Sequence, residues 1–504
     1  MSWINYRNNF GIIFSDGNKI RLTLSFVIMV GFILRFRGMS DGNLWADELL
    51  RISWYNSDLE NAISGPNHVS LSRFFMWILY FFIPNDIFWI RFPLIIFSTM
   101  TIAITYFICN EISNSKCGII ASLIIAISPL SIRYSGEISS YPVLEFFTAT
   151  AILSSIHYKN YDAKYSYYVI IFSSLILSSN PLTFGVAISC ILYLWNNEFN
   201  KYQETDSWKK IKKLILSKYF RNSLWPISLC IYITNTTILN GEINSSGDQI
   251  NYQYFLQILV FWNKEAILIM KLIMPFILIM LPFTIFEAYN KNNLDISLII
   301  ICLIFSLGII VFPSYLFGSS IQGRYLIQLC PIIAIIIAVN LEILVEKIDS
   351  KLNITDNIKT IFNLLFMSFV IFILISSFSI IKESQPKPEY INVIADLSDV
   401  DDKLIIASPD NIYWETTSIL NSREILNITH SEWAFKDLNI HDCSLNNDEQ
   451  GIYLIVAEKH NEDIKREIEG ILLQEWVIIN SRHYYQTSWY ELSPTDLWRN
   501  NCNE

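Results

Sequence analysis

Long apolar stretches alternate with short polar segments along most of the 504-residue chain. Runs such as Ile20–Leu34, Phe92–Cys109 and Ile361–Ile381 approach or reach the length of about 17–25 residues that a helix needs to cross a bilayer. The pattern predicts an α-helical membrane protein with about eleven transmembrane helices, within a range of about ten to thirteen. The predicted spans are residues 20–36, 91–109, 118–134, 141–157, 166–179, 182–196, 222–239, 266–287, 296–314, 325–344 and 360–381.

Three other segments complete the predicted architecture. The apolar segments Leu71–Ile83 and Tyr252–Trp262 are too short to cross comfortably, and we expect them to lie as helices in the outer interface, the former within the first outer loop. From Pro386 onward the apolar runs shrink to strand length, at Lys403–Ala407 and Gly451–Ala457, with an amphipathic helix expected at Glu462–Leu473. The chain is therefore predicted to divide into a transmembrane domain at 1–384 and a small α/β domain at 385–504.

The distribution of basic residues predicts how the chain is oriented. Loops 240–252 and 315–323 contain no lysine or arginine, whereas the loop at 197–221 contains Lys201, Lys209, Lys210, Lys212, Lys213, Lys218 and Arg221. Because short basic loops stay in the cytoplasm, the N-terminus is expected inside. An odd number of spans then places the C-terminal domain outside. The predicted location is the plasma membrane, which in a bacterium is the inner membrane.

Composition supports lipid as the main solvent and excludes several classes of function. Only 16% of the residues are charged, against about 25% in soluble domains, and 52% are hydrophobic. There is no glycine-rich phosphate loop and no zinc-type cysteine and histidine spacing, and we expect no nucleic-acid partner. Six cysteines lie within or beside apolar runs as packed side chains. A disulfide between Cys443 and Cys502 is left open.

The first outer loop contains two adjacent acids, Asp47 and Glu48, in the segment Leu44–Arg51. Trp45 precedes them, and they follow the first span by a few residues. A carboxylate partly desolvated at the lipid–water boundary becomes more basic, which suits a general base that takes a proton from a hydroxyl. An ordinary acidic loop, or the first turn of a helix, would account for the same pattern.

A second polar cluster, Ser128–Pro142, places Arg133 and Glu137 at the outer end of the third span. Arginine on the lysine-poor side favours an anionic partner, and its guanidinium binds phosphate oxygens in a bidentate manner. Arg35 and Arg324 also lie at outer ends of spans, so a phosphate site for a lipid-anchored ligand is predicted. Anchoring of each helix by a snorkelling arginine remains the alternative. Lys264 is a further phosphate candidate, and His68 is a candidate polar contact.

These motifs together resemble the GT-C superfamily of integral-membrane glycosyltransferases, in particular the aminoarabinose-transferase and protein-mannosyltransferase-like enzymes of the family 39 type. The resemblance covers roughly residues 20–345. Val69 and Ser70 replace the prolines that follow the family's histidine, which weakens the match at His68. The matching positions, in family order, are Leu44, Trp45, Asp47, Glu48, His68, Leu71, Arg91, Pro93, Ser128, Pro129, Tyr134, Ser135, Glu137, Tyr141, Arg324, Tyr325, Leu326 and Pro331.

The resemblance implies transfer of a sugar from a polyprenyl phosphate to an acceptor hydroxyl, with inversion, at the outer face of the membrane. Asp47 would be the general base, Glu48 and Glu137 would assist it, and membrane lipids would surround the enzyme. The acceptor is left open between lipid, glycan and protein, and so is a divalent metal ion held by Asp47 and Glu137. The implied phosphate ligands are Arg35, Arg133, Arg324 and Lys264, and the implied substrate contacts are Trp45, His68, Tyr134, Tyr141 and Tyr325.

Three other functions are compatible with a polytopic chain. A lipid-linked oligosaccharide polymerase or ligase shares the topology, but such enzymes tend to centre on arginines in large late outer loops. A flippase or transporter is expected to contain internal repeats and broken helices at the midplane, and no repeat is found here. A structural anchor for the C-terminal domain would not need so many spans. Substitution of Asp47 discriminates between these functions.

Overall fold

The structure is a computed structural model that describes the chain in separate segments. In the helical part these are residues 18–36, 87–161, 163–179, 184–202, 207–224, 293–317 and 327–352. In the C-terminal part they are the strand residues 404–408, 425–427, 452–456, 476–484 and 487–494, and positions 48, 76–79, 82, 226, 228, 282 and 285 are also described. The chain divides into two compact units, one of Met1–Ser40 and Leu59–Ser384 and the other of Asp41–Asp58 and Gln385–Glu504.

The first unit is built from helices. They are α1 (Asn18–Phe36), α2 (Ile87–Ile112), α3 (Ser115–Ala126), α4 (Pro129–Tyr134), α5 (Tyr141–Asn160), α6 (Tyr165–Ser179), α7 (Phe184–Lys201), α8 (Ser207–Leu216), α9 (Leu294–Phe317) and α10 (Cys330–Leu352). Helices therefore lie at most of the predicted spans up to residue 344. The spans predicted at 222–239, 266–287 and 360–381 lie mostly or wholly outside the described residues, as do the interfacial helix at 252–262 and most of that at 71–83.

Within α2, residues Phe88–Ile112 form a helix that is long and apolar enough to cross a membrane. It is the one helix of the described residues to meet both requirements. Shorter apolar helical stretches occur at Ser115–Ala126, Tyr165–Ile176, Leu294–Gly308 and Ile327–Ile343. α2 packs against α3 and α5, α5 against α6, and α7 against α9, while α1 and α10 both contact α3. The core is therefore centred on α2, α3 and α5.

The third predicted span, residues 118–134, is not one continuous helix, which corrects the prediction. α3 ends at Ala126, and α4 starts at Pro129. Proline has no amide hydrogen to donate to the carbonyl four residues earlier, here that of Ile125, and its ring collides with that carbonyl. The break leaves carbonyl groups at the end of α3 that need other donors.

The crossing of α7 and α9 depends on Gly185, which gives the first testable prediction. A Cβ atom at this position would lie 2.5 Å from the Cα of Ser306 and would also collide with its backbone nitrogen. Because the neighbour is helix backbone, Gly185→Ala must push the helices apart, and we expect a loss of about 1–3 kcal/mol in stability. Gly308→Ala is the matched control, since nothing lies within 4 Å of its added Cβ. Thermal unfolding in detergent should separate the two variants, and equal stability would contradict the tight crossing.

The second unit contains a five-stranded sheet in the order β2-β1-β3-β5-β4. The strands are β1 (Leu404–Ser408), β2 (Ile425–Asn427), β3 (Ile452–Val456), β4 (Trp476–Tyr484) and β5 (Thr487–Pro494). β1 pairs in parallel with β2 and β3, whereas β5 pairs in antiparallel fashion with β3 and β4. β1 and β3 lie at the two predicted strands, and their continuous apolar sequences suit the interior of a parallel sheet. The helix predicted at Glu462–Leu473 lies outside the described residues.

Candidate active site

Among the described residues of the helical unit, charged side chains cluster at two ends. The C-terminal ends of α1 and α3 meet the first turn of α5 at one end, which we call the Glu137 end because Glu137 lies in the turn before α5. The C-terminal ends of α5 and α7 meet the start of α9 at the other, which we call the Asp295 end.

The turn that joins α4 to α5 is compact and holds Glu137 in a buried position. The amide of Glu137 donates to the carbonyl of Tyr134 at 3.2 Å, and the amide of Ser139 donates to the carbonyl of Glu137 at 2.7 Å. Ser139 Oγ in turn accepts from the amide of Tyr141 at 3.3 Å. Glu137 is only 6% exposed. A carboxylate at such a place is preorganised by the backbone around it.

Aromatic and basic side chains of the same motif lie on either side of this turn. The rings of Tyr134 and Tyr141 meet edge to face, with centroids 5.9 Å apart. The guanidinium of Arg133 lies 5.7 Å from the centroid of the Tyr134 ring. Arg133 and Tyr134 are half-buried, so both keep a surface that a ligand can reach. The structure therefore brings Arg133, Tyr134, Glu137 and Tyr141 together, as the motif predicts for a shared site.

Arg35, one of the predicted phosphate ligands, has partners within the protein for all of its N–H groups. Nε donates to Ser98 Oγ at 2.8 Å, and Nη1 donates to the carbonyls of Gly31 and Ala126, each at 3.1 Å. Nη2 donates to the carbonyl of Ile125 at 3.0 Å and to Ser131 Oγ at 2.7 Å. The side chain is 1% exposed. A guanidinium carries five N–H donors, and these five bonds use all of them.

The break at Pro129 explains this arrangement. The carbonyls of Ile125 and Ala126 are among the groups that the end of α3 leaves without intrahelical donors. Arg35 supplies those donors from α1 and so closes the end of a helix to which it does not belong. We therefore leave Arg35 out of the phosphate site, and we correct its predicted role to that of a structural clamp.

Glu145, in the first turns of α5, completes this buried cluster. Its Oε2 accepts from Ser131 Oγ at 3.0 Å and from Ser98 Oγ at 3.4 Å, so two hydroxyls connect it to Arg35. Its Oε1 has no hydrogen-bond partner within the described part of the chain. The sequence places Glu145 within a predicted span, at 141–157, but it does not show that Ser98 and Ser131 join it. Lone serines in apolar helices are common, and only their shared contact with the Glu145 carboxylate identifies these two.

The Asp295 end carries paired charges that stabilise helix ends. Lys159 Nζ contacts both carboxylate oxygens of Asp295 at 3.0 Å, and the Tyr193 hydroxyl donates to the same carboxylate. Glu198 is held by hydroxyls and a lysine, with Tyr158 at 2.5 Å and Lys201 at 3.4 Å. These acids have the short-range partners of structural ion pairs.

Near Glu198, the Tyr202 hydroxyl shows the electrostatic effect of this cluster. Burial of the hydroxyl raises the pKa of Tyr202 above its ordinary value, and the neighbouring Glu198 carboxylate raises it further. The hydroxyl therefore stays protonated and can donate, and it lies 3.3 Å from Glu198 Oε1.

All but one of the other predicted site residues lie outside the described residues. They are Trp45, Asp47, His68, Lys264, Arg324 and Tyr325. Glu48 is described and buried, and it belongs to the second unit. No group of three His, Cys, Asp or Glu side chains that could hold a metal ion occurs in the part of the chain that was described. A metal held by Asp47 and Glu137 stays a prediction.

Comparisons with known proteins give matches among solved structures alone. No protein-family model matches the sequence, and no curated protein matches it significantly. The structure is similar to that of ArnT from Cupriavidus metallidurans bound to undecaprenyl phosphate, with a TM-score of 0.53, 8% identity, and coverage of 95% of this chain and 98% of that chain.

The structure is also similar to two structures of the Archaeoglobus fulgidus oligosaccharyltransferase. AglB in complex with an inhibitory peptide and a dolichol-phosphate matches with a TM-score of 0.53 and 10% identity, over 95% of this chain and 77% of that chain. The complex with zinc and sulfate matches with a TM-score of 0.52 and 11% identity, over 86% and 68%. Likeness at this level of identity concerns the fold, and the fold is the one that the sequence motifs predict.

Proposed function

Because the chain has the fold of the GT-C membrane glycosyltransferases, we propose that it transfers a sugar from a polyprenyl-phosphate donor to an acceptor hydroxyl. One observation carries the proposal. The motif of residues 128–141 forms a compact turn at the end of the helical unit, with Glu137 buried in it and Arg133 beside Tyr134. Two proteins of similar fold were solved with a polyprenyl phosphate bound, undecaprenyl phosphate in one and dolichol-phosphate in the other.

In the proposed reaction Asp47 takes the proton from the acceptor hydroxyl. The hydroxyl oxygen attacks the anomeric carbon from the face opposite the lipid phosphate, and the bond from that carbon to the phosphate oxygen breaks. The configuration inverts, and the lipid phosphate leaves with the electron pair. Arg133, Arg324 and Lys264 stabilise its charge as it develops. Glu48 and Glu137 orient the hydroxyls, while Trp45, His68, Tyr134, Tyr141 and Tyr325 contact the substrates.

We propose that the Glu137 end faces the outside of the cell. The basic loop after α7 continues from the Asp295 end, which the distribution of lysines assigns to the cytoplasm. This orientation makes the N-terminus cytoplasmic and the C-terminal domain extracytoplasmic, in a multi-pass protein of the plasma membrane. The donor then reaches the site from the outer leaflet, and the acceptor is a lipid, a glycan or a protein.

Transfer of a whole oligosaccharide is the second candidate, and the likeness to oligosaccharyltransferases favours it. The acids of the first outer loop favour the first candidate, since polymerases and ligases tend to centre on arginines in large late outer loops. The two candidates share the outer site and differ in the size of the group attached to the lipid phosphate.

A transfer assay tests both candidates in one format. Purified protein in vesicles would receive a labelled polyprenyl-phosphate monosaccharide or a labelled polyprenyl-linked oligosaccharide, together with glycolipid and glycoprotein fractions from cells that lack the gene. We expect label to move from the monosaccharide donor into one fraction, whose mass identifies sugar and acceptor. Movement from the oligosaccharide donor alone would select the second candidate. No movement from either donor, by protein that remains folded, would contradict the proposed function.

A further inference from the structure

α8 has an apolar face and a basic face, and none of its residues is buried. At 100° per residue, Trp208, Ile211 and Ile215 lie along one side of the helix. Lys209, Lys210 and Lys213 lie around the opposite side, and Lys212 lies next to Trp208 at the edge of the apolar face. The sequence predicted only a basic loop here, because the helix is short and its apolar residues are spaced among lysines.

The large side chains of the apolar face are more exposed than is favourable in contact with water. Trp208 is 72% exposed, Ile215 is 48% exposed and Ile211 is 38% exposed. Exposed side chains of this size, lined up on one helix, indicate a surface that another phase or molecule covers.

Contacts place α8 across the Asp295 end of the helical unit. The Tyr202 hydroxyl, just after α7, donates to the carbonyl of Lys213 at 3.5 Å. The ammonium of Lys210 lies 5.5 Å from the centroid of Phe199, in the last turn of α7. Just after α8, the ammonium of Lys218 lies 5.8 Å from the centroid of Tyr167 in α6. The helix is therefore held beside the end of α7 and the start of α6.

The charge of α8 and of the residues that follow it has one sign, whereas Glu204 and Asp206 precede the helix. Residues 207–221 contain five lysines and one arginine and no aspartate or glutamate. Amphipathic helices with lysine-rich polar faces lie in the interface of anionic membranes, with the apolar side inserted among the acyl chains. Each lysine near such a surface adds to the attraction.

We propose that α8 lies in the headgroup layer of the cytoplasmic leaflet and binds anionic phospholipids. Trp208, Ile211 and Ile215 insert below the headgroups, and Lys209 and Lys212 contact lipid phosphates. A nucleic acid or an acidic protein would use the lysines and leave the apolar face exposed, so a membrane accounts for both faces. The proposal does not depend on the enzymatic activity.

Hydrogen exchange of the full-length protein in lipid nanodiscs tests this proposal. The probe is phosphatidylcholine, either alone or mixed with phosphatidylglycerol. We expect residues 207–216 to exchange roughly tenfold more slowly in the mixed discs, and added salt to reduce the difference. Lys209→Gln/Lys212→Gln should lose most of this protection, because glutamine keeps the helix propensity but not the charge.

A matched variant removes the same charge at the same end of the unit. Lys19→Gln/Lys116→Gln replaces two exposed lysines at the starts of α1 and α3, and it should keep the protection. Ile211→Ser/Ile215→Ser should lose protection with all lysines present. Equal exchange in the two kinds of disc, or equal effects of the two lysine pairs, would overturn the proposal. Protection in neutral discs by an added RNA or acidic peptide would do so too, in favour of that partner.

Discussion

Replacing Arg35 with glutamine is expected to destabilise the helical unit by about 3–5 kcal/mol, because it leaves the buried carboxylate of Glu145 without its cation. The two charges attract each other, and Ser98 and Ser131 connect them. The same substitution removes the donors that close the end of α3. Thermal unfolding in detergent, followed as loss of monomer on size exclusion, measures the effect.

Two variants distinguish the buried charge from other causes. Arg35→Gln/Glu145→Gln removes both charges and should recover part of the stability, since a neutral pair carries no uncompensated charge. Arg133→Gln makes the same change at a half-buried arginine of the same end, and we expect less than about 1 kcal/mol from the lost contact with Tyr134. If Arg35→Gln lowered the stability no more than Arg133→Gln does, Arg35 would not be a structural clamp.

Asp47→Asn is expected to lower kcat by about 10²–10⁴-fold, which is the range that a positioned general base contributes. The amide has nearly the same shape as the carboxylate but cannot accept the proton of the acceptor hydroxyl. The KM for the lipid-linked donor should change little, because the phosphate contacts are assigned to other residues. Initial rates of label transfer at varied donor concentration separate the two constants.

The control for Asp47 is Asp58→Asn, the same substitution in the same segment of the second unit. It should leave kcat within about twofold, because the proposed mechanism gives Asp58 no role in proton transfer. A variant Asp47→Asn that retains full kcat would remove the general base from the mechanism. It would not by itself exclude transfer of a lipid-linked sugar, which the assay of the wild-type protein tests.

Much of the fold follows from local pattern. A helix in lipid needs a run of apolar residues and satisfies its own backbone, so the length of each run predicts where α1, α2, α5, α7, α9 and α10 lie. The strands at β1 and β3 are equally evident, because short apolar runs bounded by polar residues are typical of a buried sheet. The three other strands were not predicted, and the pairing order of the sheet depends on contacts between distant segments.

The candidate site divides in the same way. The motif of residues 128–141 is contiguous, so the sequence predicts that Arg133, Tyr134, Glu137 and Tyr141 share one place, and the turn before α5 brings them together. The apolar run through Ser128 and Pro129 suggested one span, although the proline divides it. α8 was missed because its short amphipathic pattern lies within a basic loop.

The sequence by itself predicted a polytopic helical protein with a separate C-terminal α/β domain, and it determined where the acidic and arginine motifs occur. Hydrophobic run length and charge bias are local properties, and lipid acts on each segment independently. Only the tertiary structure showed that Arg35 closes the end of α3, a role that is neither of the two predicted for it. Arg35 lies 63 residues from Ser98 and 90 or more from Ile125, Ala126 and Ser131 along the chain. A guanidinium can bind a ligand only with N–H groups that the protein itself does not occupy. Which groups these are depends on acceptors that only folding brings within reach.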